Sequence, residues 1–464
     1  MRLFLPRCIF LMREQPDSAV WQTEGALLAF CCLLFGLLRS VPGSGKQKML
    51  AGLVVLLSMV DLGYQASCFV EHSHVEHGSE VSAYVRGQSD VIHRLQEEDP
   101  GTYRITQTAT RNMGPGRRSA NYDEPLAYGY WSITHYSSTV DDRQLAFLDR
   151  VRYRNEADTM DIVNTSILPA DALLGVKYVL SDYAVNGLKE ADSGAAFGKK
   201  RLYENPYVLP MAFYAAAKEL PEDLLNPFEY QNALYSSLLG REIKLFLSLA
   251  VQKTAEDQSR RYQLALPEGN YAVYGNVQAF NSSGIPILDL NGKQEIEYSC
   301  WLAPLVFYIP TERDDQEAYV TLTGDVAVDE KNEQFYVLDL DLLGEVTQEL
   351  RDRSGMVDAD IRNGHIFIRA AGDSGDREKT SSRLLLTVPY DSGWSVVCNG
   401  EAVEPELWAN MFYSFPLASD ETVIEMTYHV PFLKEGLLLS AAGLLILCIL
   451  SAPGSLLGFR KRAV

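Results

Sequence analysis

Three apolar, uncharged stretches of the chain decide its class. They are 25–38 (GALLAFCCLLFGLL), 49–60 (MLAGLVVLLSMV, with LGYQASCFV resuming after Asp61) and 436–459 (GLLLSAAGLLILCILSAPGSLLGF). A membrane span needs about 20 apolar residues, so the last stretch suffices alone and the first two draw on their flanks. Arg39, Lys46 and Lys48 fill the short loop between the first two, and Arg460, Lys461 and Arg462 follow the third. Basic loops stay on the cytoplasmic side. The pattern therefore predicts two transmembrane helices over 20–66, an outer region over 67–431, a third span over 432–459 and a cytoplasmic tail over 460–464. Residues 1–19 are apolar with scattered Arg and lack a small-residue cleavage site. They fit either an interfacial segment or the remainder of a chain whose start has been lost.

The outer region changes its period halfway. SEVSAYVRGQSDVIHRLQEED has helical spacing and ends at Pro100-Gly101, TYRITQT alternates like a strand, and DDRQLAFLDRVRYR reads as an amphipathic helix. LGVKYVLS and KRLYENP read as strands, and NPFEYQNALYSSLLG as a helix opened by Asn-Pro. Alternation of this kind predicts a small α/β domain over 67–240. From 241 to 431 short strands recur between Gly, Pro, Asn and Asp, with one helix at GEVTQELRDR, and predict an antiparallel β-sandwich. WSVVCNG ends in Asn399-Gly400, a two-residue hairpin signal. The expected fold class is a membrane protein, with few transmembrane α-helices flanking a large outer region made of these two domains.

Composition adds exclusions. The chain has 464 residues, 47% of them hydrophobic, and a net charge of −20. That charge gives no bulk attraction for nucleic acid. Seven Cys without CxxC spacing predict free thiols, with no zinc ribbon and no disulfide framework. There is no Ser-His-Asp arrangement, no dinucleotide fingerprint and no HExxH motif to support a soluble hydrolase.

VDLGYQ at a span's end, HYSS, LLGVKYVLS, LYENPYVLP, NPFEYQNAL and VPYDSGWSVVCNGEAV occur in an order that resembles the C-terminal portion of the YfhO family of bacterial membrane proteins, over about 45–464. LYENPYVLP and the VPYDSGW hairpin are the most specific parts. The resemblance implies a GT-C-type glycosyltransferase of the bacterial cytoplasmic membrane. Such enzymes move a sugar from a polyprenyl-phosphate carrier to an acceptor on the outer face, here a cell-surface polymer such as lipoteichoic acid. GT-C enzymes have further spans and place their usual catalytic carboxylate in the first outer loop. Only two spans precede the outer region here, so the resemblance implies a chain that supplies mainly acceptor-binding domains. The alternative is a non-catalytic, membrane-anchored carbohydrate- or polymer-binding protein.

Several residues could carry chemistry. Asp61 is a carboxylate near the outer end of the second span, a costly position that makes it a catalytic candidate or the marker of the span's end. His72, His74 and His77 in EHSHVEH could ligate a divalent metal ion, although their spacing is not a standard helical pair; the alternative is a solvated stretch beside the membrane. Arg111, Arg117 and Arg118 in RNMGPGRR could hold a lipid or polymer phosphate. Glu229 and Asn232 share a helix face and either bind a sugar or join the two domains. Trp131, Trp301, Trp394 and Trp408 are stacking platforms or core, and alternation puts Trp394 on one face with Val396 and Cys398, favouring core. Arg104 reads as a structural pair partner.

Overall fold

The computed structural model describes residues 32, 33, 35, 36, 39, 41, 43–72, 78–108, 124–134, 140–153, 165–181, 183–191, 196, 197, 200–221, 226–256, 258–297, 306–371, 382–417 and 421–451. They fall into two units divided between Arg86 and Gly87.

The first unit is dominated by one helix, Gly45–His72. Ser44 and Gln47 start it reciprocally. The Gln47 amide donates to Ser44 Oγ at 3.2 Å, and the Gly43 amide donates to Gln47 Oε1 at 2.5 Å. Twenty-eight helical residues extend about 42 Å, more than the hydrocarbon core of a bilayer. Among the described residues one helix, Gly45–Ser67, is long and apolar enough to cross a membrane, and its apolar window has no buried residues. The expected first span lies almost wholly outside the described residues.

In the second unit the part of the helix Gly78–Glu98 that follows Arg86 presents Val91, Ile92 and Leu95 to a small sheet. The sheet runs Arg104–Gln107, Val176–Ser181, Lys200–Glu204 and Lys189–Glu190, with Ala196–Phe197 also on Lys200–Glu204. Only the pairing of Arg104–Gln107 with Val176–Ser181 is parallel. Its crossover carries the helices Glu124–Tyr128, Asp142–Val151 and Leu168–Leu173. Asp141 caps the second of these by accepting from the Arg143 amide at 2.9 Å.

The antiparallel strands expected as one sandwich gather over two separate apolar cores, and the two assemblies are called the first and second sandwich below. The first is built on two long antiparallel strands, Tyr271–Leu290 and Glu317–Asp339, where the sequence pattern had suggested separate short ones. Register shifts after Val277, Asn281 and Ser283 break the strict alternation, so the pattern conceals the continuity. Val273, Val277, Phe335 and Val337 from one half of this ribbon share a core with Leu288, Leu290, Val320 and Leu322 from the other. The ribbon therefore folds over its own apolar face. Phe246–Ser248 and Val306–Ile309 widen one half; Val251–Glu256, Ser259–Ala265 and Gln294–Glu297 widen the other.

The second sandwich packs two sheets over a separate core. One sheet is Val357–Arg362, His365–Ala371, Glu421–Tyr428, Trp394–Cys398 and Glu401–Ala402; the other is Glu406–Trp408, Phe412–Pro416, Arg383–Pro389 and Ala212–Ala215. Ile366, Ile368, Ile424 and Met426 meet Tyr214, Leu384, Leu386 and Phe415 between them. The strand Ala212–Ala215 crosses the boundary expected at 240/241. Its four residues are all buried and find their ladder only on Arg383–Pro389. The expected turn is present, with Asn399 at φ 51° and Gly400 at φ 84° joining Cys398 to Glu401. Positive φ at both positions suits the twist of a two-residue hairpin.

A central core joins three of the four sheets through the helices Asp142–Val151, Leu168–Leu173, Pro227–Leu239 and Leu340–Arg353. Phe147, Leu173, Leu234 and Leu343 meet Val179, Tyr274, Leu338, Phe213 and Phe412 there. Each such side chain contributes about 1.5–3 kcal/mol on burial. The chain's last described helix, Leu433–Ser451, is exposed along its described side chains, including Leu437, Leu438, Leu439 and Leu447.

Candidate functional site at the carboxyl end of the parallel strands

Alternation along Arg104–Gln107 sends Ile105 and Gln107 to the face covered by the helix Gly78–Glu98. Gln107 replaces the apolar residue expected at that buried position, and its amide organises a network. The Lys200 ammonium donates to Gln107 Oε1. Gln107 Nε2 donates to Glu124 Oε2 at 2.7 Å and to the Tyr130 hydroxyl at 3.0 Å. All four residues are buried. Beside them Thr108 Oγ1 donates to Ser181 Oγ at 2.6 Å, and Ser181 Oγ donates to the Tyr183 carbonyl at 2.6 Å. Burial pushes the Tyr130 hydroxyl well above the usual tyrosine range, keeping it protonated.

The helix that covers this face carries a further buried amide, Gln88. It lies one turn before Val91 and Ile92 on the buried helix face and has 0% of its surface exposed. Neither atom of its amide has a partner among the described residues. Leaving such a group unpaired costs about 1–3 kcal/mol per lost partner. The helix and the strand run in opposite directions through a short turn, which sets Gln88 toward the strand's carboxyl end. That end is where open α/β sheets receive ligands. The site offers a carboxylate, an ammonium, two amides and hydroxyls in a water-poor setting, a set suited to a polyhydroxylated or mixed-charge ligand.

The opposite end of the strands is closed structurally. Lys177 bonds Asp99 at 2.5 Å, and the Tyr178 hydroxyl donates to the same carboxylate at 3.0 Å. Burial raises the Asp99 pKa, but these bonds outweigh it and hold the carboxyl below its usual range.

The residues singled out by sequence do not gather in one place. Arg111, Arg117 and Arg118 lie outside the described residues; of the described residues that flank their segment, Glu124 belongs to the Gln107 network and Thr108 bonds Ser181. Asp61 lies inside the apolar stretch of its helix, not at its end, and accepts from Gln65 Nε2 at 2.8 Å. His72 is the last residue of that helix, and His74 and His77 lie outside the described residues. Among the described residues no group of three His, Cys, Asp or Glu is arranged to hold a metal ion.

Glu229 is exposed, whereas Asn232 is spent on a joint. Asn232 accepts from the Phe246 amide at 2.8 Å and donates to the Phe246 carbonyl at 3.0 Å. Asn226, the helix cap, donates to the Tyr336 hydroxyl at 2.8 Å. NPFEYQN thus fastens its helix to the first sandwich. Trp394 packs on the second core beside Cys398 and meets Tyr428 edge to face at 5.2 Å. Trp408 is buried and donates to Ser237 Oγ at 2.9 Å; Trp131 packs on the second core, and Trp301 lies outside the described residues. Cys32, Cys398 and Cys448 are free thiols.

Sequence reasoning missed Gln88, Gln107, Glu124 and Lys200. The available signal was a polar residue at an inward position of each element: Gln107 two after Ile105, Lys200 two before Leu202, Gln88 three before Val91.

A family model described as "Bacterial membrane protein YfhO" matches residues 7–440. "Uncharacterized protein YfhO" of Bacillus subtilis (strain 168) is 20% identical over 481 residues, covering 92% of this chain and 53% of that protein. The chain thus spans about half the length of the curated relative it matches. A crystal structure of a conserved protein of unknown function from Pseudomonas aeruginosa PAO1 aligns at 13% identity over 39% of this chain and 84% of that one, with a TM-score of 0.12. With the family match running over nearly the whole sequence, the chain belongs to the YfhO family of bacterial membrane proteins.

Proposed function

We propose that this chain is the acceptor-binding part of a GT-C-type transferase. The transferase moves a sugar from a polyprenyl-phosphate carrier to a cell-surface polymer such as lipoteichoic acid. In this reading the span Gly45–Ser67 and the helix Leu433–Ser451 sit in the cytoplasmic membrane, and the sheets lie on its outer face. The observation that carries it is the buried network of Gln107, Glu124, Lys200 and Tyr130 at the carboxyl end of the parallel strands. Arg111, Arg117 and Arg118 then supply cations for polymer or carrier phosphate. Glu229 and Trp394 hold no place near that network in this reading.

The experiment deletes the gene and measures surface-polymer glycosylation by mass spectrometry. Loss of one sugar from the polymer is expected, with restoration on complementation. An unchanged polymer overturns the reading. Asp61→Asn in the complementing copy tests the intramembrane carboxylate. Loss of transfer with normal membrane insertion makes it part of the machinery, and full transfer returns it to a helix residue paired with Gln65.

A second reading, a membrane-anchored polymer-binding protein without catalysis, draws on the same buried network, whose amides and hydroxyls suit holding a polymer as well as reacting with it. Proteoliposomes of this chain that bind acceptor polymer but transfer no sugar would support it.

A further inference from the structure

A second site shares no lining residue with the network around Gln107. A cleft of about 350 Å³ opens between segment 184–188 and two turns of the first sandwich, 266–271 and 311–315. Its volume falls within the range of small-ligand sites. The floor is partly apolar, from Val185, Leu266 and Val273, and Tyr271 stands half-buried at its side. The Tyr271 ring lies across Gly269, where a Cβ would come within 2.5 Å of the ring. The ring is therefore held in place by a close approach that only glycine permits.

The polar lining is built and partly unspent. The Asn186 amide nitrogen reaches the Tyr271 carbonyl at 3.3 Å and the Thr311 carbonyl at 3.2 Å, and the Asn186 backbone amide donates to the Tyr308 hydroxyl at 3.1 Å. The side-chain carbonyl of Asn186 has no partner among the described residues. Asn270 donates to Asp341 at 2.8 Å and keeps its own side-chain carbonyl unpaired among those residues. Glu312 and Asp315 are taken up by Lys293, at 2.9 and 3.7 Å. The Arg313 guanidinium is exposed, with no partner among the described residues.

These facts select a ligand class. A phosphate or polyanion needs clustered cations, and here one guanidinium stands against two carboxylates already held by one ammonium. An apolar ligand would strand the amide carbonyls. A ring carrying several hydroxyls satisfies them, and its C–H face suits the Tyr271 ring. We propose that this cleft holds one sugar residue of an uncharged glycan. The proposed site is separate from the network around Gln107 and rests on the acceptor-binding reading only for the biological source of the sugar.

The test uses the whole chain in a sugar-free detergent and saturation-transfer NMR with methyl glucoside, methyl galactoside, N-acetylglucosamine and glycerol 1-phosphate. At least one of the three sugars is expected to show transfer. Asn270→Ala and Arg313→Ala, both at exposed positions, should each weaken it at least fivefold, and Tyr271→Ala should abolish it. No transfer from any sugar overturns the proposal. So does binding that both surface variants leave unchanged, or tighter binding of glycerol 1-phosphate than of every sugar. Failure here is separable from failure of the transfer reading. A blank titration alongside lost polymer glycosylation in the deletion strain removes only the cleft. A mapped sugar site alongside an unchanged polymer removes only the transferase.

Discussion

The Arg104 guanidinium donates to the carbonyl of Thr387 at 3.0 Å, across 283 positions of sequence. It also donates to the Leu174 carbonyl, and it forms no ion pair among the described residues. Burial alone lowers its pKa to about 10, so it stays charged at neutral pH. One side chain thereby ties the α/β sheet to the second sandwich. Arg104→Met leaves two buried carbonyls without donors and should cost about 2 kcal/mol. The loss is readable as a lower Tm of the purified chain, with Arg104→Lys falling between the two.

Gln88 separates stability from function. Gln88→Leu removes a buried amide that lacks partners and should raise the Tm, by the equivalent of about 1–2 kcal/mol. If the amide is kept for a ligand, the same variant should bind surface polymer more weakly in a pull-down with intact cell-wall fragments. A more stable variant with unaltered polymer binding counts against the candidate site.

Asp171 gives a pH dependence. Its carboxyl is buried with no cation beside it, and it accepts from the Tyr153 hydroxyl and from Ser166 Oγ at 2.5 Å. Burial raises its pKa to about 7, against the opposing pull of those bonds. Between its unfolded value and about pH 7 the unfolded chain has lost this proton while the folded chain still holds it. Stability from this group therefore falls as pH rises through that window. Asp171→Asn should flatten the slope of Tm against pH between about 4 and 7. An identical slope in the variant would refute the assignment.

Glu333 behaves in the opposite sense. Its side chain is 1% exposed and is met by Lys253, by Arg260 at 2.9 Å and by the Tyr262 hydroxyl at 2.7 Å. Burial raises its pKa, but the bonds from Lys253 and Tyr262 and the charges of Lys253 and Arg260 outweigh it and leave the pKa depressed. The stabilisation is present above the ordinary carboxylate range and is lost as pH falls through the folded value. Glu333→Gln should cost about 1–3 kcal/mol at neutral pH, discounted because both cations are partly exposed. Its deficit relative to the parent should shrink in acid, as differential scanning of the two proteins would show.

Gly400 tests the hairpin. Its φ of 84° strains any β-branched residue, so Gly400→Val should cost about 1–2 kcal/mol. Asn399→Gly should be tolerated. Equal melting points for the parent and the valine variant would show that the turn is not held in this geometry.

Much of the fold was legible because burial imposes a period. The helices at 78–98, 142–151 and 227–239, the strands Val176–Ser181 and Lys200–Glu204, and the Asn399-Gly400 turn all follow from spacing and local turn chemistry. Strand partnership did not. AFYA at 212–215 reads as the end of one domain, and only its distant ladder on Arg383–Pro389 reveals the other. The bulged ribbon hid its length for the same reason: alternation reports a face and not a neighbour. The site was less legible still. LYENPYVLP proved to be a joint, with Asn205 donating to the Val176 carbonyl at 2.9 Å and Arg351 donating to the Pro206 and Val208 carbonyls at 3.0 Å. The most specific residues of the resemblance here secure the scaffold, while Gln88, Gln107 and Lys200 lie far apart in sequence within the polar stretches RGQSD, TQT and KKR and form no motif along the chain.

The first sandwich begins and ends at one spot. Phe246–Ser248 ladders with Tyr336–Leu338, and the Asp339 amide donates to the Leu245 carbonyl at 2.9 Å. The chain therefore leaves the central helices and returns to them at neighbouring points, after spelling out a whole module. Such a module is a cassette. It can be exchanged for a related one, or lengthened at its far loops, while Pro227–Leu239 and Leu340–Arg353 keep their places. Swapping cassettes between relatives would then transplant the sugar cleft's turns at 266–271 and 311–315 without touching the polar network around Gln107.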